Sequence, residues 1–190
     1  MKNYYISIII ISIIIQFFSI YNENWSSTNV TIMDQSLTLN SSLYNMTTDS
    51  SSYNSFLLII FGIILLFAGI IMLILNNNYA FAIIGVGSLF SILACILSII
   101  NINKINNVIN NAINSASMYS SEINLKNPFV PKPTVPTSVL KNIKQNNSIS
   151  DNISSTLKPG YCLYLNLVSS LLTLFLSIYI FNTEFKKIKI

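Results

Sequence analysis

The chain has 190 residues, of which 52% are apolar and only 8% charged. That is about a third of the usual soluble share of charge, too little to cover a water-soluble fold of this size. The net charge of +4 comes from Lys alone, without Arg or His. This excludes the basic face used on nucleic acid and removes the commonest general base.

A helix needs about 20 mostly apolar residues to cross the hydrocarbon core. Four runs qualify and contain no Asp, Glu, Lys or Arg: Tyr4–Tyr21, Phe56–Leu75, Tyr79–Ile102 and Tyr161–Phe181. In lipid each must satisfy its own backbone, which predicts four transmembrane helices. The first run, with Lys2 before an Ile-rich centre, also has the features of a signal peptide. Its exit, Gln16-Phe17-Phe18-Ser19-Ile20-Tyr21, offers no pair of small residues spaced for cleavage. We read it as an uncleaved helix.

Lys2 precedes the first helix, and Lys186, Lys187 and Lys189 follow the last. Under the positive-inside rule both termini are expected in the cytoplasm. Segments 22–55 and 103–160 then face outside, and Asn76-Asn77-Asn78 is a tight cytoplasmic turn. Six Lys in 103–160 oppose this, but only Lys104 and Lys158 adjoin spans. Long loops cross with weak regard for their charge.

Segment 22–55 is rich in Ser, Thr and Asn and carries Glu23, Asp34 and Asp49 without a base. N-x-[ST] sequons begin at Asn24, Asn29, Asn40 and Asn45 here, and at Asn146 and Asn152 in the second loop. They are candidate glycosylation sites and favour outside placement, although Asn-rich loops also generate such triplets by chance. Val30 and Ile32, then Leu37 and Leu39, alternate around Met33-Asp34-Gln35-Ser36, the pattern of a hairpin with a four-residue loop.

The third helix is expected to continue to about residue 118, because Ile102, Ile105, Ile109, Ile113 and Ala116 recur at helical spacing. Pro128, Pro131, Pro133 and Pro136 then predict an extended spacer. Asn142–Leu157 reads as flexible. Segment 161–181 is the fourth span and 182–190 a cytoplasmic tail.

Small residues mark where helices approach closely. Gly87, Ser91 and Cys95 repeat every four residues on the third span, and Ser169, Thr173 and Ser177 on the fourth. Gly62 and Gly69 share a face of the second, and Ser12 and Gln16 pair on the first. These are read as packing stripes. A polar permeation path is the sharper alternative, but ion pathways usually show an intramembrane charge.

No P-loop, GxSxG or paired metal ligands occur, and the six carboxylates are scattered singly. Cys95 and Cys162 are too few for a disulfide framework or metal site. No catalytic, cofactor or metal residue is therefore assigned, and the chain is not expected to be an enzyme.

Two local patterns carry a family resemblance. Gly85-Val86-Gly87-Ser88-Leu89-Phe90-Ser91-Ile92-Leu93-Ala94 resembles the Gly-x-x-Phe-x-Leu-Ala pattern of the claudin, peripheral-myelin-protein and calcium-channel gamma superfamily. Gly160-Tyr161-Cys162-Leu163-Tyr164-Leu165 is similar to that family's Gly-Tyr-Ser-Phe-Tyr-Leu entry to the fourth helix, and Trp25 falls where such proteins often carry a Trp. The chain departs in lacking the first-loop Gly-Leu-Trp and Cys pair. A tetraspanin fits the loop lengths but not the missing Cys-Cys-Gly.

The resemblance implies cell–cell adhesion, membrane organisation or service as an auxiliary channel subunit, in the plasma membrane. The expected fold is an all-α four-transmembrane helix bundle with a small extracellular β-hairpin or sheet from the first loop. A sheet joining segment 22–55 to the second loop would set the claudin-like plan apart from a generic bundle. Expected partners are the lipid bilayer and other membrane proteins or this chain itself, in cis or trans. Trp25 is read as an exposed partner contact, and Ile188 and Ile190 as an ending for a PDZ-type scaffold. A small-solute pore is the alternative function.

Overall fold

The computed structural model describes residues 2–32, 35–48, 50–77, 79–123 and 153–188. The proline-dense stretch, Asn146, Asn152 and Ile190 fall outside them. In chain order the elements are α1 (Lys2–Tyr21), β1 (Ser26–Ile32), β2 (Gln35–Ser41), a 3-10 turn (Asn45–Thr48), α2 (Ser50–Ile74), α3 (Ala80–Ile123), β3 (Ile153–Pro159) and α4 (Tyr161–Ile188). Four of the helices are long and apolar enough to cross a membrane, over Tyr4–Tyr21, Ser52–Ile74, Ala80–Ala112 and Tyr161–Thr183. The residues fall into two compact units, one of Met1–Ser27, Asn40–Ile102 and Lys158–Ile190, the other of Thr28–Leu39 and Asn103–Leu157.

The first unit is a helix bundle in which α1 packs against α4 and α2. The α2–α3 reversal has a defined chemistry. Asn76 adopts the left-handed conformation (φ 57°). Its N–H donates to the Leu73 carbonyl (3.2 Å), and the Asn77 N–H to the Met72 carbonyl (2.9 Å). This is a Schellman motif, which satisfies the last carbonyls of α2. Asn77 Oδ1 then accepts the Tyr79 N–H at 2.9 Å, so the same short turn also caps the start of α3.

At the opposite end the entry to α4 locks onto the link leaving α1. Gly160 N–H donates to the Trp25 carbonyl (2.8 Å) and Cys162 N–H to the Asn24 carbonyl (3.1 Å). A side chain at Gly160 would collide with the Asn24 carbonyl oxygen and come within 2.9 Å of the Trp25 carbonyl carbon. Only glycine allows that approach. Trp25 and Leu43 are buried there beside the apolar core.

The second unit holds most of a sheet with strand order β2-β1-β3. Strands β1 and β2 are separated by two residues rather than the expected four, and the Thr38 hydroxyl donates to Asn29 Oδ1 across them at 2.8 Å. The fold is therefore mostly helical with a small sheet, as expected, but the third strand comes from the second loop rather than the first. The expectation of a flexible Asn142–Leu157 also fails from Ile153 onward, where β3 pairs with β1. An isolated two-stranded hairpin is marginal, and a third strand supplies the missing support. Helix α3 covers 44 residues to Ile123, past the expected end near 118.

Candidate functional site

The bundle has an apolar core, with Ile9, Ile59, Leu66 and Leu163 among its buried residues, but it is apolar on its outer surface as well. Large apolar side chains point outward, among them Ile14, Ile64, Leu172 and Phe175, the last two 62% and 66% exposed. Buried inside are Ser12, Gln16, Ser88, Ser91, Asn166, Ser169, Ser170, Thr173 and Ser177. Water would not favour so much exposed apolar surface, because burying it is the main driving force of folding there. The inner polar seam is the candidate functional feature.

Gln16 on α1 is the hub, fully buried. Ser91 on α3 donates its hydroxyl to Gln16 Oε1 at 2.8 Å. Gln16 Nε2 donates to Ser12 Oγ at 3.3 Å. Ser12 Oγ lies 2.8 Å from Thr173 Oγ1 and 3.4 Å from the Ser169 carbonyl on α4. Three helices are thus tied through neutral groups in a low-dielectric interior, where an unmade hydrogen bond is costly. Asn166 is also fully buried, its carbonyl accepting the hydroxyls of Ser169 (3.1 Å) and Ser170 (2.8 Å). Its Nδ2 has no hydrogen-bond partner among the described residues. Hydroxyls and amides placed between helices in this way suit helix association.

The predicted packing residues fall along these contacts. A Cβ built on Gly62 would lie 2.5 Å from Ser91 Oγ and 2.8 Å from the Gly87 carbonyl oxygen, and one on Gly87 2.9 Å from the Gly62 carbonyl oxygen. α2 and α3 therefore touch backbone to backbone, as small-residue pairs permit. Gly69 instead leaves room for the Ile84 side chain of α3. Cys95 Sγ is 3.9 Å from the Leu163 carbonyl of α4, and Ser177 Oγ 3.1 Å from a Cβ built on Gly85.

The other predicted sites divide. Trp25 is only 1% exposed, which corrects its reading as a partner contact: the indole fills the end of the bundle. Two residues of the sequon Asn24-Trp25-Ser26, Trp25 and Ser26, are buried, while Asn24 itself is half-buried with its Nδ2 donating to Asn22 Oδ1 at 3.0 Å. Asn29 is half-buried, whereas Asn40 and Asn45 are exposed. Ile188 closes α4 as helix, so it does not present the extended backbone that adds to a PDZ-type sheet.

Sequence reasoning missed two features. Tyr21, Tyr44, Tyr53 and Tyr161 are exposed at one end of the spans, and Tyr4, Tyr79 and Tyr179 at the other. Rings Phe17, Tyr21, Tyr44 and Phe56 follow one another at 5.1, 5.4 and 6.2 Å. Their signal was present, since a Tyr stands at or near the end of each apolar run. The second is Asn106, one Asn among many on α3, whose side chain pairs with both main-chain groups of Leu157. Nothing in the local pattern marks it. No protein-family model matches the chain, and no curated protein matches it.

Proposed function

We propose that the chain is a four-span membrane protein with a structural or adhesive role, organising membranes or cell contacts on a claudin-like plan. The observation that carries this reading is the apolar outer surface of the bundle, together with the Ser, Gln, Asn and Thr side chains buried within its apolar core. Lipid accepts the outer surface, and hydrogen bonds within the seam hold the helices where the hydrophobic effect no longer does. Two rings of Tyr at the span ends support it, because such side chains favour the membrane–water interface.

The claudin-like plan draws support from the sheet, in which two strands from segment 22–55 join one from segment 103–160. The buried Trp25 and the glycine at the entry to α4 tie the link leaving α1 to the start of α4. With the termini in the cytoplasm, as the flanking Lys residues favour, the sheet faces outside the cell. Its exposed parts, rather than Trp25, meet partners.

The experiment is expression on the surface of non-adherent cells, paired with reconstitution of the purified chain in planar bilayers. The account expects cell aggregates or reorganised contacts, and silent bilayers. Reproducible unitary conductance, with no effect on contacts, would establish the pore instead.

A further inference from the structure

The two edges of the sheet are treated differently. Among the described residues, strand order β2-β1-β3 makes β2 and β3 the edges. On β3 the Asn106 side chain lies against Leu157, its Oδ1 accepting the Leu157 N–H at 2.6 Å and its Nδ2 donating to the Leu157 carbonyl. An amide so placed imitates one residue of a further strand and closes that edge. On β2, residues 36–40 are all exposed, with Leu37 at 60% and Leu39 at 52%. Strand Gln35–Ser41 contains no charge and no Pro, the devices that usually keep an edge from pairing.

We propose that the β2 edge pairs with the β2 edge of a second copy of this chain, antiparallel about a two-fold axis through Thr38. The strand selects its own copy because Ser36-Leu37-Thr38-Leu39-Asn40 is nearly palindromic. Reversal sets Leu37 against Leu39 of the second copy, Thr38 against Thr38, and Ser36 against Asn40. An isologous contact requires such self-complementarity, and with no charge in the strand no like charges oppose each other. A glycan on Asn40 is compatible, because side chains stand out of the sheet plane while edge hydrogen bonds lie in it. One strand about 23 Å long buries too little area for a stable dimer free in solution. Pairing therefore depends on confinement of the copies to membranes and rests on that part of the proposed function.

The test uses the full chain in liposomes. Residues on the axis face each other at about 4.5–5.5 Å between Cα atoms, within disulfide reach. Thr38→Cys is expected to form a covalent dimer under mild oxidation. Ser36→Cys alone and Asn40→Cys alone remain monomeric, whereas the two mixed give the heterodimer. Native Cys95 and Cys162 are buried and add no background. In a second measurement, Thr38→Lys loses energy transfer between labelled copies, and mixing it with Thr38→Asp restores it. Carbonate washing of the same liposomes separates the two claims. Retained protein with no Thr38→Cys dimer, or with equal dimer from Ser36→Cys, overturns the pairing alone. Protein released by the wash overturns the membrane reading and the pairing with it.

Discussion

Gln16 shows how a single side chain decides an arrangement of helices. Its amide accepts from Ser91 on α3 and donates to Ser12, which reaches Thr173 on α4. Hydrogen bonds between membrane helices couple by about 0.6 kcal/mol on average and rarely above about 1.7. A double-mutant cycle with Gln16→Leu and Ser91→Ala, followed by unfolding in bicelles, is expected to give coupling in that range, and additive effects would separate the two residues. Gly62 acts through absence. A Cβ there meets Ser91 Oγ and the Gly87 carbonyl, and overpacking typically costs about 1–3 kcal/mol. Gly62→Ala should lower the midpoint of thermal unfolding, and Gly62→Leu more so, with the α2–α3 crossing displaced.

Among the elements, the α2–α3 hairpin makes the sharpest prediction. Asn76 holds φ 57°, a region where a β-branched residue is strained by roughly 1–2 kcal/mol. Asn76→Val is expected to destabilise by about that amount, while Asn76→Gly is neutral or stabilising, as read by thermal unfolding. The four helices were legible in the sequence because an uncharged apolar run of span length admits few other readings. The packing stripes were legible because Gly87, Ser91 and Cys95 return to one face every four residues. Which helix each stripe meets was not, since the spacing that aligns Ser91 on α3 carries no information about Gln16 on α1. Trp25 was misread for a related reason: its place beside a span is the same whether the ring turns outward or into the bundle. The strand at Ile153–Pro159 escaped notice because its partner lies far away in sequence, and Ser-rich composition resembles that of a loop.

For the whole molecule, the two Tyr rings give a dimension. Tyr4 and Tyr21 are separated by about 25 Å along α1, and Tyr161 and Tyr179 by about 27 Å along α4, at 1.5 Å per residue. Both are close to the hydrocarbon thickness of about 30 Å. The proposed orientation predicts glycans at the exposed Asn40 and Asn45 rather than at the half-buried Asn24, which is followed by the buried Trp25 and Ser26. A glycosidase-sensitive mass shift removed by Asn40→Gln with Asn45→Gln, but not by Asn24→Gln, is the expected outcome in a glycosylating host. Removal of the shift by Asn24→Gln alone would contradict that assignment.

The central claim is that an apolar exterior faces lipid around a polar seam. Nitroxide labels at Ile14, Ile64 and Leu172 of the reconstituted protein test it most directly. The account predicts frequent collisions with oxygen and few with a water-soluble nickel chelate at all three positions. Ready access of the nickel chelate to these positions would mean that they face water, and would contradict it.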